Sequence, residues 1–140
     1  MTDFRISPRI WAALLAAGVM AGLAGMGLTL WLHAVQHAAY GVGWQVQESF
    51  HDMATHAPPL RRLAALLACG ALAGAGWALL LRRGAPLVDV EAAIATPGKT
   101  LPLKTTLAHA LLQITTVGMG SPLGREGAPR EISAALAGRL

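Results

Sequence analysis

The sequence predicts an all-α fold of several membrane-spanning helices, and three observations carry that prediction. Uncharged apolar stretches recur along the chain, over Ile10–Gln47, Leu63–Leu81 and Thr105–Gly124. Hydrophobic residues are 54% of the chain and charged residues 13%, roughly half the charge of an ordinary soluble domain and too little to coat a water-facing surface. The 11 Lys and Arg residues behind the net charge of +4 fall in pairs and singles at the ends of the apolar stretches. That distribution belongs beside a bilayer; nucleic-acid binding wants a basic patch, and no nucleic-acid partner is expected.

The first span is placed near residues 10–35. Its most apolar part, Trp11–Leu32, is 22 residues long, enough to cross roughly 30 Å of hydrocarbon as a helix. Trp11 and Trp31 near its two ends suit interfacial anchoring. A cleaved signal peptide also begins with basic residues and an apolar stretch, but its apolar region is ordinarily shorter, and here further apolar runs follow. Gly18, Gly22 and Gly25 make a small-residue stripe of the kind that lets helices approach closely in lipid. His33 and His37 are four apart and share a helix face. With no carboxylate or cysteine nearby in sequence, they read as interfacial histidines rather than metal ligands, and no metal is expected.

Tyr40–Pro59 is mixed and polar and reads as the tail of the first helix followed by a loop. Arg61 and Arg62 open the second span, near residues 60–81, and Arg82 and Arg83 close it. A short connection makes the second helix antiparallel to the first, and Gly70 and Gly74 repeat the small-residue stripe. Cys69, the only cysteine, reads as a small buried hydrophobe. Val88–Ala95 is expected to be a short helix ended by Thr96-Pro97-Gly98. Arg5, Arg9, Arg82, Arg83, Lys99 and Lys104 fall on one side of the spans and Arg61 and Arg62 on the other, so the positive-inside rule puts the N-terminus in the cytoplasm.

The third run, near residues 105–123, holds His109, Gln113, Thr115 and Thr116 and is rich in glycine at its end. It fits a helix buried among others, or one that stops at membrane depth. Gly118-Met119-Gly120-Ser121-Pro122-Leu123-Gly124-Arg125-Glu126-Gly127 follows, and Pro129 suits the first turn of a further helix over 129–140. A carboxylate, Glu126, is thereby set just ahead of a helix N-terminus, whose free N–H groups and dipole favour negative charge. Two other readings of this stretch remain open. The spacing of Gly118, Gly120 and Gly124 loosely imitates a dinucleotide fingerprint, which needs a preceding strand that this pattern lacks. Arg125 and Glu126 could also be a structural ion pair. The serines, Ser7, Ser49, Ser121 and Ser133, show no pattern with a His and an acid, so no enzyme and no cofactor are expected.

Gly124-Arg125-Glu126-Gly127, after a glycine-rich helix end and before a short helix, resembles the GREGP signature of the CLC family of chloride channels and chloride–proton antiporters. Leu101-Pro102-Leu103-Lys104 is similar to a Leu-Pro-Val-Lys segment of bacterial members, and Arg82-Arg83 also matches, so the resemblance runs over nearly the whole chain. It implies the N-terminal part of an inverted-repeat helical membrane domain, a homodimer in the full-length parent, and a multi-pass protein of a bacterial-type plasma membrane. It also implies transport of chloride or another small anion, with protons as a candidate coupled ion. Glu126 would be the gating glutamate. The anion pathway would draw on Gly124, Arg125, Glu126, Gly127 and Ala85.

Three departures accompany the resemblance. The second inverted half, with its own pathway residues, would lie beyond Leu140. Ala85 stands where the family places an anion-binding serine, in the register that sets Gly84-Ala85-Pro86-Leu87-Val88 on GSGIP. GREGP has become GREGAP, by Ala128 replacing the proline or by one inserted residue. A non-transporting membrane fragment, or a subunit that only packs against other helices, is the alternative.

Overall fold

The computed structural model describes residues 7–41, 49–83, 90–95 and 101–139. Ala85, Arg5 and Lys99 lie outside the described residues. The six described helices are α1 (Pro8–Tyr40), α2 (Phe50–His56), α3 (Pro59–Arg82), α4 (Val90–Ala95), α5 (Leu103–Gly118) and α6 (Gly127–Ala137), and no strand occurs among the described residues. Both α1 and α3 are long and apolar enough to cross a membrane.

Helix boundaries follow local chemistry. Prolines open α1 and α3 in their first turns, where a missing N–H costs nothing. Gly41, at φ 77°, closes α1 in the left-handed region that favours glycine. The guanidinium of Arg61, in the first turn of α3, donates to Ala39 O at 2.9 Å and Ala38 O at 3.1 Å. It supplies donors to carbonyls that the end of a helix leaves without partners.

The tertiary arrangement is organised by α5, which packs against α1, α3 and α6. Leu28 and Leu32 of α1, Ala110 and Ile114 of α5, and Ala128 and Ile132 of α6 form the main buried cluster. Polar side chains cross the same seams. The Trp31 indole N–H donates to Thr115 Oγ1 at 3.0 Å, and the Tyr40 hydroxyl to Met119 O at 3.0 Å. Cys69 is buried, as a small hydrophobe should be, and its thiol lies 3.4 Å from Thr116 O.

Two sequence expectations change in detail. The polar connector is not simply a loop: Ser49 caps α2, its hydroxyl accepting from Asp52 N at 3.3 Å. This is a side chain doing the work of a missing helical carbonyl. Tyr40 is the last residue of α1, in keeping with a helix tail at the start of that connector, and it is buried with its ring edge-on to Phe50 at 5.4 Å. The third apolar run is helical only to Gly118 and continues as irregular chain to Glu126.

The small-residue stripes also find no neighbour: a Cβ built on Gly18, Gly22, Gly25, Gly70 or Gly74 meets nothing within 4 Å. Close helix approach occurs at other glycines. A Cβ on Gly76 would lie 2.7 Å from Leu112, and one on Gly118 2.8 Å from Val35.

Candidate functional site

The site begins where α5 ends. Gly120 takes φ 104°, and the N–H groups of Gly120 and Ser121 bond back to Val117 O and Thr116 O, each at 3.0 Å. A side chain at Gly120 would be strained in that conformation and would also press on the Tyr40 hydroxyl, 2.7 Å from an added Cβ. The chain then runs outward through Pro122, Leu123, Gly124 and Arg125, all exposed.

Gln113 ties this loop back to α5. Its side-chain N–H donates to Gly124 O at 2.9 Å, and its amide sits 3.2 Å from where a Cβ on Gly127 would be. The loop is therefore held at Gly124, immediately before the charged pair.

Glu126 occupies the N-cap position of α6 with φ −81° and ψ −25°, yet its side chain makes no capping hydrogen bond. The carboxylate is exposed, and the first N–H groups of α6 are left without a side-chain cap. The helix starts directly at Gly127, with Ala128 fully buried in the main cluster and Pro129 in the first turn. The alanine of GREGAP thus contributes packing, and the proline stays where its missing N–H is harmless.

Arg125 does not pair with Glu126 among the described residues, so the structural ion-pair reading finds no contact to support it. Arg125 instead borders two cavities. One, of about 360 Å³, lies against Gln36, Phe50 and Ser121; the other, of about 210 Å³, lies against His33, Thr29 and Pro129. His33 and His37 come together with no cluster of metal-ligating side chains, and no group of three such residues occurs among the described residues.

One polar residue escaped the sequence reading, and one that it named shows an unusual environment. Gln36 lies in the stripe Leu28-Leu32-Gln36-Tyr40, the buried face of α1, and the four-residue spacing was the available signal. His109 is buried on α5 with Nε2 lacking a hydrogen-bond partner among the described residues. Such orphaned buried atoms are uncommon in native proteins.

The described residues form an all-helical bundle with two helices long and apolar enough to cross a membrane, which with the family match that follows makes the chain a membrane protein. The family model described as voltage gated chloride channel matches residues 69–140, which include α5, the loop and α6. No curated protein and no solved structure matches the chain. The chain belongs to the voltage gated chloride channel family. Arg82-Arg83, the Leu101–Lys104 segment and Gly124–Gly127 all lie inside the matched residues.

Proposed function

We propose that this chain forms part of a CLC-type pathway for chloride or another small anion, with Glu126 as its protonatable gate. The observation that carries the reading is the unpaired Glu126 carboxylate at the uncapped N-terminus of α6, on a loop anchored by Gln113. A helix N-terminus favours an anion through its free N–H groups and dipole. A carboxylate that begins there competes with a transported anion for the same place, and protonation removes the competition. Gly124, Arg125 and Gly127 border the pathway in this reading, and Ala85 would leave one family hydroxyl unreplaced.

The chain is a multi-pass transport protein of the plasma membrane rather than an enzyme, with its N-terminus cytoplasmic. It constitutes a single partial membrane domain whose full-length parent is a homodimer. α1, α3 and α5, followed by the loop and α6, supply one half of an inverted repeat. Alone they conduct no anions.

Glu126→Gln in the full-length parent, reconstituted in chloride-loaded vesicles, tests the gate. The expected result is anion flux that persists or rises and no longer depends on pH between two chosen values. Retained pH dependence, or loss of flux with a folded protein, would reject it.

A further inference from the structure

α5 ends in a pattern that fixes the direction of the chain leaving it. The Gly120 N–H bonds to Val117 O and the Ser121 N–H to Thr116 O, with Gly120 at φ 104°, which is the Schellman arrangement of a helix C-terminus. The carbonyl of Met119, one residue before the glycine, takes no part in that pattern. It accepts instead from the Tyr40 hydroxyl, on the last residue of α1, at 3.0 Å. Cys69 of α3 supports the same turn more weakly, its thiol donating to Thr116 O at 3.4 Å. The Tyr40 side chain is itself fixed, edge-on to Phe50 and in one buried cluster with Met53, Ala57 and Ala65.

The next fixed point downstream is Gly124, whose carbonyl accepts the Gln113 amide N–H at 2.9 Å. Only Ser121, Pro122 and Leu123 lie between Gly120 and Gly124, and the ring of Pro122 locks its φ. So short a stretch, tied at both ends, has little slack. A shift of the turn at Gly120 is passed on to Gly124 and to the start of α6, where Glu126 stands.

We propose that Tyr40 is a positioning residue for Glu126, its hydroxyl holding the turn at Met119 and Gly120 from which the gate loop departs. The role rests on the gate reading of Glu126 and adds to it a group from another helix. The hydroxyl sits over the one residue whose positive φ turns the chain, since a Cβ added to Gly120 would lie 2.7 Å from it. A phenylalanine at position 40 would keep the ring but offer Met119 O no donor. Trp31 is the contrasting case. Its indole also ties α1 to α5, through Thr115 Oγ1 at 3.0 Å, but it does so inside the helix, before the turn.

The test uses the full-length parent reconstituted in vesicles, with two readouts: hydrogen exchange over residues 119–126 by mass spectrometry, and chloride flux as a function of pH. Tyr40→Phe should speed the exchange by about threefold to tenfold and move the pH midpoint of flux by about half a unit. Trp31→Phe should leave both unchanged. In a Glu126→Gln background, Tyr40→Phe should no longer alter flux, because the group it positions has lost its charge. Unmoved loop exchange in Tyr40→Phe, an equal effect of Trp31→Phe, or a flux change that survives in the Glu126→Gln background would overturn the positioning role. Flux that stays pH-dependent in Glu126→Gln alone would instead overturn the gate, and the exchange measurement then still decides whether Tyr40 holds the loop.

Discussion

Residues 8–27 and residues 28–40 belong to one helix, and both are apolar, but their surroundings are opposite. The first part has no buried residue; Leu15 is 69% exposed, and Trp11, Leu14, Val19 and Leu23 are exposed beside it. The second part buries Leu28, Leu32, Gln36 and Tyr40 against its neighbours. Both parts are rich in Ala and Leu, although the glycines all fall in the first and His33, Gln36, His37 and Tyr40 in the second. What separates them is the presence of α5 and α6, whose Ile114, Ala128 and Ile132 bury Leu28 and Leu32 of the second part and meet the first part at half-buried Ala24. In lipid, exposed leucine carries no penalty, because hydrocarbon solvates it as well as another leucine does. Apolar character makes the helix suited to a membrane; neighbours alone decide which of its faces is specified.

The sharpest way to break this contrast is to truncate one leucine in each part. Leu32→Ala, at a site only 5% exposed, should cost about 2–4 kcal/mol of stability, as core truncations do. Leu15→Ala should stay within about 0.5 kcal/mol. Equilibrium unfolding in a denaturing detergent measures both, and equal costs would mean that the first part is packed as tightly as the second.

A smaller effect is expected from adding bulk. Gly118→Leu must displace Val35, so it should destabilise by about 1–3 kcal/mol. Gly18→Leu, with open space around its Cβ, should unfold at the wild-type detergent concentration. If Gly18→Leu proves the costlier of the two, the glycine stripe of the first part is an occupied interface after all.

The smallest effect concerns α2, which packs on the C-terminal end of α1 through Met53 and Tyr40. The Ser49 hydroxyl donates to the Asp52 carboxylate at 2.6 Å and, as the first cause, holds it below the usual carboxylate range. A depressed carboxyl pKa stabilises the folded state above the unfolded value and ceases to do so as pH falls through the folded one. α2 should therefore loosen only under acidic conditions. A carbon NMR titration of Asp52 should give a midpoint below the ordinary value, and Ser49→Ala should return it upward; an unmoved midpoint would dismiss the cap.

Much of this was legible in the residues. Arg61-Arg62 and Arg82-Arg83 bracket α3 because a charged pair costs little only where a helix leaves the apolar layer, and Pro129 marked the first turn of α6. The GREG stretch announced a carboxylate ahead of a helix, which is where Glu126 sits. Other features were hidden for physical reasons. The end of α5 at Gly118 depends on Gly120 adopting a positive φ, and a run with glycines at both 118 and 120 does not say which one turns. The tether from Gln113 to Gly124 joins residues eleven apart through a loop, beyond the reach of helical periodicity. α2 did carry a readable sign, a Ser followed three residues later by Asp, but seven residues are too few for an apolar pattern to emerge.

The hydrogen bonds from α1 to α5 have a consequence in time. Trp31 and Tyr40 in α1 both donate to acceptors near the end of α5, Thr115 and Met119. At a synthesis rate of about 5–20 residues per second, Met119 follows Tyr40 off the ribosome by roughly 4–16 seconds. Through that interval the indole and the phenol wait without their final acceptors, while α3, already made, offers Arg61 to the end of α1. The nascent helices are thus first joined at their ends by a guanidinium and only later locked along their lengths, so the arrival of α5 is the step that turns two inserted helices into a folded unit.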